Sequence, residues 1–283
     1  MEMKPLTRLV LGLVCLLVAI WLVAPTLVVV PMSFNANKSL AFPPQGFSWQ
    51  WYQNFATSPE WSTSFLNSLK VASLVAVLAT VLGTLAAFGL ERMKARPANL
   101  LRMLMLTPMV VPGVVLAIGI YAVYLDTHLV GTMLGFVLAH TILALPFVLI
   151  AVSASLEVFD RRLETAAASL GAGALTTFRT VTLPLILPGI LSGLLFAFAT
   201  SFDEIVVSLF ITNPYLKTLP VQIFSSITRD ADPTVAAVGT ILLFATTLLI
   251  GGGMLLLGRG RKGRQSNIIR HSRSHAALCE ASP

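Results

Sequence analysis

The sequence predicts an all-α polytopic membrane protein with six transmembrane helices and both termini in the cytoplasm. Three observations carry that expectation. Of the 283 residues, 56% are hydrophobic and only 11% charged, against about 25% charged in ordinary soluble domains, and the mean hydropathy is +0.84. Six strongly apolar stretches of bilayer-crossing length hold no Asp, Glu, Lys or Arg. Lys and Arg also fall preferentially on alternate connecting segments. The same composition excludes a water-soluble enzyme, a disordered chain and a disulfide scaffold.

A spanning helix needs about 20 apolar residues. The charge-free stretches are 9–37, 71–90, 103–125, 127–156, 180–202 and 233–258. Allowing for polar ends and helix caps, they predict helices near 9–32, 66–90, 103–124, 130–152, 185–208 and 235–257. The first follows Lys4 and Arg8 as a signal peptide would, but its apolar stretch exceeds the usual 7–15 residues of a signal core. It leads into Pro31-Met32-Ser33-Phe34 without a small-x-small cleavage site, so a retained helix is expected. Residues 39–59 are also uncharged, yet Pro43-Pro44, Gly46, Gln45, Gln50, Gln53 and Asn54 surround Trp49, Trp51 and Tyr52. That mixture describes an interfacial loop, where amphipathic rings prefer to lie.

Orientation follows from the basic residues in short loops. Fifteen of the 19 Lys and Arg residues fall on one side: Lys4, Arg8; Arg92, Lys94, Arg96, Arg102; Arg161, Arg162, Arg179; Arg259, Arg261, Lys262, Arg264, Arg270 and Arg273. The other side holds Lys38, Lys70, Lys217 and Arg229. The richer side is cytoplasmic. The net charge of +7 therefore reports topology, and no nucleic-acid partner is expected. The expected organisation is a six-helix membrane domain over 1–258 and a basic, disordered tail over 259–283. Outer segments fall near 33–65, 126–129 and 209–234.

The inner loop at about 153–184 carries the most information. Residues 161–170 are good helix formers with an Ala-rich face, Gly171 and Gly173 stop the helix, and residues 174–181 can form a second one. Pro184 then opens the next span, where its missing N–H does no harm. Ala166-Ala167, Gly171 four residues beyond Ala167, and Val181-x-Leu183-Pro184 resemble the EAA loop of ABC importer permeases. Thr165 stands where that motif has its glutamate, with Glu164 one position earlier. Many members carry two successive acids there, and Glu164 is read as keeping one of them.

That resemblance extends along the chain. Met32-Ser33-Phe34-Asn35, Phe42-Pro43-Pro44-Gln45-Gly46, Trp51-Tyr52, Asn67-Ser68-Leu69 and Pro108-x-x-x-Pro112-Gly113 resemble the spermidine/putrescine (polyamine) importer branch. Thr200-Ser201-Phe202-Asp203-Glu204 and Thr218-Leu219-Pro220-Val221 are similar to the same branch, in particular to its second permease subunit. The resemblance implies a type I ABC importer permease fold in the bacterial inner membrane and transport by alternating access. It also implies cytoplasmic ATPase subunits, a second homologous permease and a periplasmic binding protein as partners, besides membrane lipid. Glu164, Ala166, Ala167, Gly171, Leu183 and Pro184 would then couple the chain to the ATPase. The branch includes permeases for other small organic solutes, which stay open as alternatives.

Other chemistry is sparse. His140 has no acidic neighbour in its span, so interhelical hydrogen bonding is expected rather than proton relay. Pro108, Pro112 and Pro146 can kink their helices. Gly251-Gly252-Gly253 reads as helix-packing surface. Cys15 lies in the first span and Cys279 in the tail, which predicts no disulfide. No nucleophile–base set, metal cluster or Walker-type loop is present, so no cofactor and no enzymatic activity are expected, ATP being bound by a partner subunit. Asp203 and Glu204, the only adjacent acids at the end of an apolar span, are candidates for attracting a cationic solute. The competing readings pair them with Lys217 or Arg229, or leave them exposed at the interface. An ion-coupled carrier, the other function class, needs ionisable groups near the midplane, and the apolar spans hold almost none.

Overall fold

The computed structural model describes residues 5–229 and 231–248. It is helical throughout, and these residues form two compact units, one of residues up to Phe55 with 231–248, the other Ala56–Arg229.

In the first unit, α1 (Pro5–Met32) is continuous through Pro25, as its unbroken apolar run requires. Every side chain from Leu6 to Leu27 is exposed in the isolated chain, on a helix that is apolar all round, as a membrane span is. The chain then folds back on itself. Buried Asn35 accepts from the Asn37 and Gln45 backbone N–H groups and donates to the Ser39 carbonyl. Its own carbonyl accepts from Trp51 Nε1 at 2.7 Å, on α2 (Gln50–Thr57). Phe34 is stacked on Phe47 at 4.8 Å and meets Trp49 edge-on at 4.9 Å. The loop read as interfacial from its aromatics is thus an ordered aromatic cluster ending in a short helix. An apolar helix α12 (Thr234–Leu248) completes the unit.

The core of the second unit is a three-helix packing of α3 (Pro59–Arg92), α6 (Met133–Val158) and α9 (Leu183–Phe202). Val71, Val75 and Ala79 recur at helical spacing on the buried stripe of α3, against Val148, Leu149 and Val152 of α6 and Ile186 and Ala197 of α9. Small residues let the backbones close in, since dispersion contacts drive helix association in lipid. A Cβ at Gly83 would lie 2.7 Å from Val148 Cγ1, and one at Gly189 would lie 2.8 Å from the Ala151 carbonyl oxygen.

The expected third span is not one helix. α4 (Ala95–Val110) and α5 (Gly113–Thr127) meet at 102°. Pro112 supplies no N–H and pushes Val111 out of the helical region, to φ −71° and ψ 130°. Pro146, by contrast, sits inside an unbroken α6. The expected fifth helix also differs at both ends. It stops at Phe202 rather than running to 208, and the apolar residues beyond form a separate helix α10 (Val206–Ile211). At its other end Pro184 does not start a new helix. α7 (Arg162–Ser169) is followed by α8 (Ala174–Thr177), which continues through a π turn at Phe178–Thr182 into α9. The wide turn, closed by the Leu183 N–H on the Phe178 carbonyl, lets the helix pass Pro184 without the ring striking the Thr180 carbonyl.

Among the described residues, four helices are long and apolar enough to cross a membrane, or five with the bent α4–α5 pair counted as one span. The sixth expected span begins in α12, and its remainder lies outside the described residues, as do Gly251-Gly252-Gly253, Cys279 and the tail 259–283.

Candidate functional site

The loop between α6 and α9 forms a helix–turn–helix. α7 ends in a left-handed Gly171 with φ 84°. The Gly171 N–H donates to the Ala168 carbonyl and the Ala172 N–H to the Ala167 carbonyl at 3.1 Å, so the last helical carbonyls are satisfied by a glycine-terminated reversal. No residue of α7 is buried. Ala166 is exposed and Ala167 half-buried, while Leu163, Leu175 and above all Leu170, 90% exposed, present apolar surface. Leu183 is half-buried and Pro184 exposed on the helix beyond. Glu164 turns inward: its Oε1 accepts from Thr182 Oγ1 at 2.7 Å and lies 3.7 Å from Arg92 Nη2 at the end of α3.

At the other end of the helical core a polar centre is buried. His140 of α6, fully buried, meets Ser201 Oγ through Nδ1 at 2.9 Å and Ser208 Oγ through Nε2 at 3.0 Å. Glu204 Oε2 lies 3.7 Å from Nε2. The break after α9 explains how the acid arrives there. Glu204 lies in the turn and caps α10, its two carboxylate oxygens accepting from the Val207 and Ser208 N–H groups at 3.0 and 2.9 Å. Such carboxylate caps are charge-assisted and favour the positive end of a helix. Asp203, one residue earlier, is exposed and makes no side-chain hydrogen bond or ion pair among the described residues. The segment beyond α10 is fastened to α3 by polar contacts, Gln222 Nε2 donating to Glu60 Oε2 at 3.4 Å and two more lying further along α3. Asn67 Nδ2 donates to the Lys217 carbonyl, and the Leu219 N–H donates to Ser68 Oγ at 2.7 Å.

The family model for binding-protein-dependent transport system inner membrane components matches residues 79–262. The chain belongs to that family. Its relatives include the spermidine/putrescine transport system permease protein PotC of Haemophilus influenzae, 33% identical over 81% of this chain and 89% of that protein. The putrescine transport system permease protein PotI of Escherichia coli K12 is also 33% identical, over 89% of this chain and 92% of its own length. A molybdenum transport system permease protein, ModB of Mycobacterium bovis, is 32% identical over 72% of this chain and 83% of that protein. Among solved structures, a bacterial ABC transporter involved in import of the polysaccharide alginate shares the fold. Its TM-score is 0.67 at 14% identity, covering 90% of this chain and 98% of that one.

In this inner membrane component the loop residues named from sequence, Glu164 through Pro184, lie on one continuous segment at the end of the core opposite His140. Asp203 and Glu204, read as a pair, diverge: one is exposed and the other caps a helix. Glu204 pairs with neither Lys217 nor Arg229. The hydrogen bonding expected of His140 is present, but its acidic neighbour comes from beyond α9, a relation no local pattern announces. Asn67-Ser68 and Thr218-Leu219, quoted as separate motifs, meet in space. Glu91, Arg92, Arg161 and Thr182 were missed because their contacts join residues 18 to 72 positions apart.

Proposed function

We propose that this chain is the second-type permease subunit of an ATP-driven ABC importer for polyamines such as putrescine and spermidine. It is a six-span, non-catalytic subunit of the bacterial inner membrane with both termini cytoplasmic. The observation that carries the reading is the exposed helix–Gly171–helix segment in a chain related to polyamine permeases over about nine-tenths of their length. On this reading Leu163, Leu170 and Leu175 with the Ala166–Ala167 face enter a groove on a cytoplasmic ATPase. Glu164, Gly171, Leu183 and Pro184 hold that surface to α9. ATP is bound by the partner, and this chain needs no cofactor of its own. A second homologous permease closes the translocation path, a periplasmic binding protein delivers the solute, and the domain spans 1–258 with the basic tail 259–283 beyond it.

A polyamine is a flexible cation, and the exposed carboxylate of Asp203 at the outer end of α9 is suited to attract it from the binding protein. Screening beyond about 8–10 Å at physiological salt limits this to the pore mouth. Glu204, whose oxygens are engaged by α10, shapes that mouth instead of meeting solute first.

The 32% identity to a molybdenum permease supports the second reading, an ABC permease for another small solute. Direct competition separates the two. In the reconstituted complex, labelled putrescine uptake should be blocked by excess unlabelled spermidine and unaffected by molybdate. Inhibition by molybdate alone would favour the second reading.

A further inference from the structure

α7 contributes no buried residue, yet it is not loosely attached. Arg161, at its start, donates through Nη2 to Glu91 Oε1 at 2.6 Å and to the Glu91 carbonyl at 2.9 Å. Glu164, one turn on, faces Arg92 at 3.7 Å. Glu91 and Arg92 are the last two residues of α3, so two oppositely directed ion pairs tie the start of α7 to the inner end of α3. The same Glu164 Oε1 accepts from Thr182 Oγ1, and Thr182 is fully buried in the π turn that opens α9. Phe178 of that turn meets Phe88 of α3 edge-on at 5.5 Å, and the Arg92 guanidinium lies 5.9 Å from the Phe88 ring centre.

We infer that Glu164 is an internal junction that passes displacement of α7 to α3 and α9, and is not itself a contact for the ATPase. Three features support this. The carboxylate meets Thr182 and Arg92 and the side chain is only 29% exposed, whereas the apolar side chains offered outward are Leu163, Leu170 and Leu175. Its two partners lie at the end of α3 and in the π turn that leads into α9, the two long helices that α7 would have to move. The segment between α8 and α9 is a π turn, where the helical hydrogen-bond register is already interrupted and bending is easiest. Exposed ion pairs add little to stability; two crossed pairs and one half-buried hydrogen bond nonetheless fix position, because sliding α7 along α3 would break both pairs together. Glu164 and Arg161 are positioning residues on this account, which rests on the coupling role proposed for the loop.

The test uses the complete reconstituted importer and reads three quantities: ATPase retained on purification, ATP hydrolysed, and putrescine taken up per ATP. Glu164→Ala should retain the ATPase and its hydrolysis while uptake per ATP falls about fivefold or more. Glu164→Gln keeps an acceptor for Thr182 and should fall between Ala and the wild type. Glu91→Arg and Arg161→Glu should each lower the ratio, and the double exchange should restore most of it. Loss of the ATPase from Glu164→Ala would overturn the inference by making Glu164 a direct docking contact. A wild-type ratio in Glu164→Ala, or a double exchange no better than its parents, would overturn it as well. Failure of the underlying coupling role looks different: the wild-type chain itself would then retain no ATPase.

Discussion

Gly171 offers a way to perturb the loop while leaving the spans alone. Its φ of 84° lies in the left-handed region, where an L side chain costs about 1–2 kcal/mol. A Cβ there would meet nothing within 4 Å, so the penalty is conformational with no steric part. At 1.4 kcal/mol per tenfold, Gly171→Ala should lower the equilibrium constant for the native turn about five- to thirtyfold. Gly171→Val should do worse, because β-branched side chains are the poorest fit to positive φ. Gly171→Asn should stay near the wild type, since asparagine visits this region routinely. Putrescine uptake and solute-stimulated ATP hydrolysis in the reconstituted importer should therefore fall together in the order Gly, Asn, Ala, Val. Protease accessibility of the remaining loops should not change. Wild-type coupling in Gly171→Val, or an Asn variant as damaged as Val, would refute the reasoning that turn geometry controls this surface.

Three further outcomes are expected. His140→Ala strands two buried serine hydroxyls and should destabilise the detergent-solubilised protein by about 1–3 kcal/mol, read as a lowered melting temperature, because membrane hydrogen bonds average about 0.6 and reach about 1.7 kcal/mol each with a desolvation cost added. Gly189→Ala, whose Cβ would press on the Ala151 carbonyl, should lower the same melting temperature, while Gly119→Ala, with nothing within 4 Å, should leave it unchanged. Asp203→Asn should weaken putrescine uptake at low salt and make uptake less salt-sensitive than in the wild type; wild-type rates at both salt concentrations would remove the acid from the solute path.

What could be read from the sequence follows the range of the interactions involved. α3 and α6 were legible because a charge-free run of bilayer length permits little else, and the caps only extended them to Pro59 and Val158. Gly171 was legible because only glycine ends a helix so readily in that conformation. Whether a proline bends a helix or breaks it was not. Pro146 is accommodated within α6, whereas Pro112, preceded by an extended Val111 and followed by Gly113, divides α4 from α5 at 102°. The end of α9 was hidden by its own continuation, since Ile205 to Ile211 are as apolar as a span. Only the Glu204 cap, set by a three-dimensional turn, makes them a separate helix. The same long-range geometry hid the polar centre, in which His140 finds its partners 61 and 68 residues away. The ties of Glu164 and Arg161 to α3 were hidden likewise, because pairs across an assembled bundle leave no trace in local spacing.

As a subunit without a phosphate-binding loop, this chain should move solute only within an ATP-driven assembly. The most direct measurement is uptake of labelled putrescine into proteoliposomes, comparing this chain alone with the chain joined by its partner permease, ATPase and solute-loaded binding protein. Uptake is expected only in the full assembly, dependent on ATP and abolished when the ATPase is left out. Sustained uptake by the chain alone, driven by an ion gradient without ATP, would contradict it.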